Sequence, residues 1–146
     1  MPELPDPTSA PIHHLSLRIY WEDTDAGGVV FYANYLKFFE RARTEWLRAL
    51  GFSQQRLRLE DGAMFVVAET QVRHLQPARL DDLLDVSVAL VEAGRASLLL
   101  AQQARHADSG ALLAEGRIRI GCVDAGTFRP RRIPSTILDR IAPTHT

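Results

Sequence analysis

Five stretches of this chain place apolar side chains at alternate positions, whereas only one long stretch places them at helical spacing, and this imbalance fixes the fold class. Leu15, Leu17, Ile19 and Trp21 alternate with Ser16, Arg18 and Tyr20, the pattern of a strand with one buried face. Met64, Val66, Ala68, Thr70 and Val72 repeat it, as do Leu84, Val86, Val88 and Leu90. Leu98, Leu100, Gln102 and Ala104 follow the turn Glu92-Ala93-Gly94, and Leu112, Ala114, Ile118 and Ile120 follow Asp108-Ser109-Gly110. Glycine-bearing turns between long strands predict antiparallel hairpins in a meander. The helical stretch carries Tyr35, Phe39, Ala42, Trp46 and Leu50 on one face, with Asn34 placed as N-cap and Gly51 as the terminating glycine. A short second helix is expected to begin near Ser53. The expectation is an α+β domain, one long helix on a curved antiparallel sheet.

A chain of 146 residues suits one domain with a real core and leaves no room for a second. Residues 1–13 are expected to form a disordered N-terminal arm, because Met1 to Pro11 hold Pro2, Pro5, Pro7 and Pro11 and almost nothing apolar; residues 14–146 form the domain. A net charge of −1 gives no overall field for nucleic acid, so any anion site must be local. The single cysteine, Cys122, excludes an internal disulfide and a cysteine-based zinc site. No apolar run reaches the ~20 residues that cross a bilayer, and no signal peptide is visible. A cytoplasmic location is expected.

The densest chemistry lies in Glu22-Asp23-Thr24-Asp25-Ala26-Gly27-Gly28, three carboxylates between a strand end and a helix start. As a calcium loop it fails, since Gly27 and Asn34 stand where the EF-hand pattern wants an acid or amide and a glutamate. As structure, acids at a helix start cap free amides at ~0.3–1 kcal/mol each. As chemistry, an ionised carboxylate beside glycine-exposed amides and unpaired helix N–H groups suits acyl transfer, the carboxylate serving as nucleophile or as base toward water.

The run from Tyr20 through Tyr35, continued by Phe39-Glu40-Arg41-Ala42-Arg43, resembles the signature of the 4-hydroxybenzoyl-CoA thioesterase-like family of hot-dog fold acyl-CoA thioesterases. It is most similar to the bacterial branch associated with the Tol-Pal envelope system. The resemblance extends through Gln76-Pro77-Ala78-Arg79-Leu80-Asp81-Asp82 to Cys122-Val123-Asp124 and Arg129-Pro130-Arg131. It implies a hot-dog fold and Asp25, not Asp23, as the catalytic carboxylate. It further implies that the backbone N–H of Tyr32 polarises the thioester carbonyl, with the Tyr32 phenol an optional contact, and that Gly28 and Val29 flank the substrate. The family's basic contacts to CoA phosphates fall near Arg95 and Ser97. The resemblance also implies a homodimer with joined sheets, often paired into a homotetramer, with active sites between subunits. Coenzyme A enters as part of the substrate, with no separate cofactor, and acyl carrier protein is a possible partner.

Elsewhere the bland reading prevails. His13, His14, His74, His106 and His145 show no metal-ligand spacing, Ser53 lacks a nucleophile elbow, and no phosphate loop is present. Arg129, Arg131 and Arg132 form a basic cluster suited to phosphate. Tyr35, Phe39 and Trp46 read as core, although the groove beside them has room for an acyl chain. Two rival functions are a hot-dog hydratase, which would need a histidine that the Glu22–Glu45 region lacks, and an acyl-thioester binding or envelope-complex partner with little turnover.

Overall fold

The computed structural model describes residues 12–141. Five strands, β1 (Ile12–Arg18), β2 (Ala63–His74), β3 (Leu83–Ala93), β4 (Ser97–His106) and β5 (Leu112–Asp124), form one sheet in the order β1-β3-β4-β5-β2. Every neighbouring pair is antiparallel. The consecutive hairpins β3-β4-β5 form the expected meander, but β2 pairs with β5 and not with β3, so the meander does not extend to it. The strand β1 takes in Ile12 and His13, which pair with Ala89 and Val88. The rest of the expected arm, and His145, lie outside the described residues.

The long helix α1 (Asn34–Ala49) packs against the sheet through Tyr35, Phe38, Phe39, Ala42, Trp46 and Leu47, all buried. Phe38 and Leu47 widen the expected stripe, as a helix facing a broad sheet needs more than a narrow seam. Asn34 is the first helical residue and Ala33 the cap, so the expected cap position is one residue off. Gly51 ends the helix as expected, at φ 97°. A three-residue helix, α2 (Gln54–Arg56), starts from Ser53, whose hydroxyl accepts the Arg56 amide at 3.1 Å. A last helix, α3 (Ser135–Ile141), buries Ile137 and Ile141.

The alternation holds on the central strands, where Leu84, Val86, Val88, Leu98, Leu100, Ala104, Ala114, Ile118 and Ile120 all join one core. Two features depart from it. Trp21 continues the alternation of β1 in sequence, yet it lies beyond the strand, in a single 3-10 turn (Trp21–Asp23), and is 79% exposed. On β2 the register slips between Val67 and Glu69. Phe65 and Val67 stand opposite Cys122 and Ile120 before the slip, and Thr70 and Val72 stand opposite Ile118 and Gly116 after it. The inner face therefore changes from odd to even positions, and Met64 and Val66 fall on the other side because a bulge adds one residue.

Gln102 belongs to this core although it is polar. Its side-chain amide donates to the Phe39 carbonyl at 3.0 Å, and its oxygen accepts from the buried Arg43 guanidinium at 3.0 Å. These two bonds fasten α1 to β4 at mid-sheet. Gly116 lets the helix approach β5, because a β-carbon there would come within 3.4 Å of the Phe39 ring and 3.1 Å of the Gln71 carbonyl.

Candidate active site

The acidic segment folds into a small clamped loop between β1 and α1. Its carboxylates serve different ends. Asp23 is buried; one oxygen accepts the Tyr20 amide at 2.8 Å and the other accepts the Asn34 side-chain amide at 2.9 Å. Its carbonyl also accepts the Phe31 amide at 3.0 Å. Asp23 thus ties the loop entrance to the first helical residue, which explains why Asn34, read from sequence as a cap, turns its side chain away from the helix end.

Asp25 is exposed and opens a tight turn. Its amide donates to the Val29 carbonyl at 2.9 Å, its carbonyl accepts the Gly28 amide at 3.0 Å, and its Oδ1 accepts the Gly27 amide at 2.8 Å. Gly28 has φ 78°, a left-handed conformation costly for a residue with a side chain. Val29 pairs with Arg79, and the Val30 amide donates to the Ala78 carbonyl at 2.8 Å, anchoring the turn to the segment that enters β3. One hydrogen bond engages Oδ1 while the carboxylate keeps further acceptor capacity, and Asp25 lines a cavity of about 340 Å³ with Trp21, Thr24, Ala26, Gly28 and Leu80.

The amides of Asn34, Tyr35 and Leu36 are taken by the carbonyls three residues back, of Phe31, Tyr32 and Ala33. Among the described residues no acceptor takes the Tyr32 or Ala33 amide. Two unpaired donors at the positive end of α1, seven and eight residues after Asp25, can stabilise an oxyanion. The Tyr32 ring is 65% exposed and meets the His74 ring edge-on, with centroids 6.0 Å apart. Tyr35 is buried, its hydroxyl accepts the Ala78 amide at 3.2 Å, and burial pushes its phenol pKa up, so it stays protonated at neutral pH.

Asp25 and Gly28 line one cavity and the Val29 carbonyl holds the Asp25 amide, while Tyr32 lines a separate cavity with His74, and Arg95 and Ser97 lie elsewhere again. Both sit at the β3–β4 hairpin, closed by the Gly94 amide on the Ser97 carbonyl at 2.8 Å, and the Asp25 loop lies near the opposite end of β3. Eleven residues of β3 separate the ends, about 36 Å at ~3.3 Å per residue. At the far end Arg95 does join Arg131 and Arg132 around a cavity of about 350 Å³, held by the Ile133 amide on the Arg95 carbonyl at 2.8 Å. The Ser97 hydroxyl accepts from Arg119 at 3.2 Å. Arg129 is exposed beyond this cavity. A pantetheine arm has a contour of about four to five extended residues, ~15–18 Å, so one chain's arginines cannot hold the phosphates of a thioester at its own Asp25.

Among the described residues no group of histidines, cysteines and acids is arranged to hold a metal ion. His14 pairs with Asp85 at 3.0 Å and His106 with Asp82 at 3.5 Å. The contributions of Asp23, Asn34, Trp21 and His74 escaped sequence reasoning; the two-residue spacing of Asp23 and Asp25, with alternate residues free to face opposite ways, was the available signal for the first.

The thioesterase-like superfamily model matches residues 19–141. The chain is 44% identical over 122 residues to the acyl-CoA thioester hydrolase YbgC of Escherichia coli O6:H1, covering 84% of this chain and 90% of that protein. It is 42% identical to the acyl-CoA thioesterase YbgC of Haemophilus influenzae over 121 residues, 83% of this chain and 88% of that one. A crystal structure of a probable thioesterase from Bartonella henselae superposes with a TM-score of 0.79 at 32% identity, covering 84% of this chain and 99% of the other. With the hot-dog arrangement of helix and sheet already described, these matches establish that the chain belongs to the thioesterase-like superfamily.

Proposed function

We propose that the protein hydrolyses acyl-CoA thioesters, releasing a free carboxylic acid and CoA, and that Asp25 and the Tyr32 amide carry the reaction. The observation that carries this reading is the exposed Asp25 carboxylate, which keeps acceptor capacity and lines a cavity with Gly28 between β1 and α1. The Tyr32 N–H donates to the thioester oxygen as it gains charge. Asp25 acts in one of two ways. It attacks the carbonyl, expelling CoA thiolate and leaving a mixed anhydride that water opens; or it takes a proton from the water that attacks, and CoA leaves as the tetrahedral intermediate collapses. Hydrolysis in oxygen-18 water under single turnover separates the two, because only the anhydride route puts an enzyme oxygen into the first product. Gly28 and Val29 shape the wall beside the reacting carbonyl, and neither route needs a metal or redox cofactor.

A second copy of the chain completes this site. The outer strand β2 is twelve residues long, presents an unpaired edge, and leaves Val67 51% exposed. Antiparallel pairing of β2 with itself about a two-fold sets each His74 end against the other copy's Ala63 end. Asp61 lies just before that Ala63 and its carbonyl accepts from Arg131 at 2.8 Å, so pairing carries the Arg95, Arg131 and Arg132 cavity toward the other copy's Asp25. CoA phosphates then meet arginines supplied in trans. Pairing of two such dimers into a tetramer, a cytoplasmic location and a link to an envelope system belong to the same reading. No helix among the described residues is long and apolar enough to cross a membrane.

CoA release from a panel of acyl-CoAs, with wild type and Asp25→Asn side by side, tests the proposal. Turnover lost in the variant supports it. Slow turnover equal in both proteins would replace it with a binding role, and retention of acyl carrier protein from cell extract would then name the partner.

A further inference from the structure

We propose that Leu59 of a second copy packs on the Phe31, Tyr32 and His74 rings at the start of α1, so that each copy supplies a wall beside the other's Tyr32. The inference rests on the β2 pairing proposed above and adds the residue that the second copy contributes. Leu59 is 74% exposed, yet it stands on fixed backbone. It is the middle residue of a single π-helical turn, Leu57–Asp61, a rare conformation that recurs at functional sites. Leu57 is buried in the core, and Gly62 ends the turn at φ 66° with its amide on the Arg58 carbonyl at 3.1 Å. The Gly62 carbonyl in turn accepts the Ala125 amide at 2.8 Å. A leucine held toward water by a braced turn has its burial still to gain, on another surface.

That surface lies at the other end of β2. Phe31, Tyr32, Leu36 and Leu75 are exposed there, with ring centroids 4.8 Å apart for Phe31 and Tyr32 and 6.0 Å apart for Tyr32 and His74. Arg41, Glu45 and Arg48 line the groove between α1 and β1; at about 100° per residue, Leu36 stands about 120–180° around the helix from all three, on the flank away from β1. His74 pairs with the buried Ala114 and meets the Tyr35 ring at 5.3 Å between centroids, so the patch lies on the helix-bearing face of the sheet. Leu57, in the core beneath α1, puts the π-helical turn on that same face. Pairing of β2 with its copy about a two-fold perpendicular to the sheet keeps both helix-bearing faces on one side and sets Ala63 of one copy at His74 of the other. The turn just before that Ala63 then lays Leu59 on the patch. Within one copy the two cannot meet, because the twelve residues of β2 hold them roughly 36 Å apart at ~3.3 Å per residue. The charges agree as well. Lys37, next to Leu36, and the Asp61 carboxylate, at the end of the turn, are exposed, opposite in sign, and without an ion pair among the described residues.

Cross-linking tests the contact. The double variant Leu59→Cys with His74→Cys, treated with a short bismaleimide, should run almost wholly as a covalent dimer on a denaturing gel, while the buried Cys122 stays unreacted. Neither single variant should link. An equal mixture of the two single variants after subunit exchange should carry about half its chains in linked dimers, since half the dimers are then hybrids. Leu59→Asp should raise the dimer dissociation constant at least about tenfold, because a leucine leaves apolar contact at both ends of the pair. A dimer by light scattering whose double variant stays unlinked would overturn the Leu59 contact alone and leave the patch to a different partner. A single variant that links as readily as the double would overturn it too. A monomer under the same conditions would take the β2 pairing down with the contact, whereas the hydrolase reading is judged separately, by turnover in Asp25→Asn.

Discussion

The tripeptide Asp-Ala-Gly occurs twice in this chain, at Asp25-Ala26-Gly27 and Asp124-Ala125-Gly126, and it opens with the same side-chain turn both times. In each, a carboxylate oxygen accepts the amide two residues on, at 2.8 Å for Gly27 and 3.0 Å for Gly126. There the likeness ends. The same Asp124 oxygen also takes the Thr127 amide at 2.9 Å and the Thr127 hydroxyl at 3.1 Å, with Arg131 3.9 Å from the other oxygen. These bonds, the Thr127 amide foremost, hold its carboxyl below the ordinary range. Asp25 has one such bond and lines a cavity. A carboxylate whose acceptor capacity is spent on its own turn is structural; one that keeps capacity in reserve, aimed at a cavity, is available for chemistry.

The largest expected effect breaks the pair apart. Asp25→Asn should lower kcat by about 10²–10⁴-fold with little change in thermal stability, because only the catalytic role is removed. Asp124→Asn should leave kcat within about twofold of wild type. Steady-state kinetics beside thermal melts of the two variants would reveal any exchange of roles.

The local half of this difference was legible in the sequence and the spatial half was not. The carboxylates, the glycine pair and the start of the helix that follows stand within sixteen residues, from Tyr20 to Tyr35, so local rules suffice to fold the Asp25 turn just before the helix. The central strands were legible because both their neighbours are strands and one face is buried, so period two survives intact. The bulge in β2 adds one residue without altering the hydrophobic count, so it leaves no trace in the alternation. Trp21 continues the pattern of β1 in sequence alone, since the strand ends when the backbone turns to bury Ile19 and Asp23. Arg95 lies at the opposite end of the sheet from Asp25, a distance that follows from topology, which a charge pattern does not encode.

That distance supplies the next prediction. Arg95→Ala with Arg132→Ala should raise KM for acyl-CoA about tenfold, ~1.4 kcal/mol, more at low salt than at high, with kcat little changed. Assayed well below KM, where this double variant alone has about a tenth of the wild-type rate, an equal mixture with Asp25→Asn after subunit exchange should rise to about a quarter, because half the dimers are hybrids with one intact site each. No recovery would place the phosphate contacts within one chain.

A smaller effect is expected at Asp23, which stands two residues before Asp25 and behaves like Asp124. Asp23→Ala leaves the Tyr20 amide and the Asn34 side chain without their acceptor in a buried site, at a cost of about 1–3 kcal/mol in urea unfolding. Because Asn34 opens α1, the loss should also lower kcat by up to about tenfold while KM holds, marking Asp23 as a positioning residue. A variant as active as wild type would show that the Asp25 turn holds itself.

The smallest effect is the pH dependence of the Asp124 turn, and its sign follows from the depressed pKa. The folded carboxyl titrates below its ordinary value of 3.8, so the stability it contributes is present above that value and disappears as pH falls through the lower folded one. Asp124→Asn removes the charge at every pH. Its melting temperature should therefore lie below that of wild type at pH 7, by no more than about two degrees for an exposed turn, and the gap should narrow as both proteins are taken below pH 3.8. Since Arg131 leans on this carboxylate, a gap that held constant with pH would mean that the turn is kept by its backbone alone and that the arginine end of the sheet is ordered without its acid.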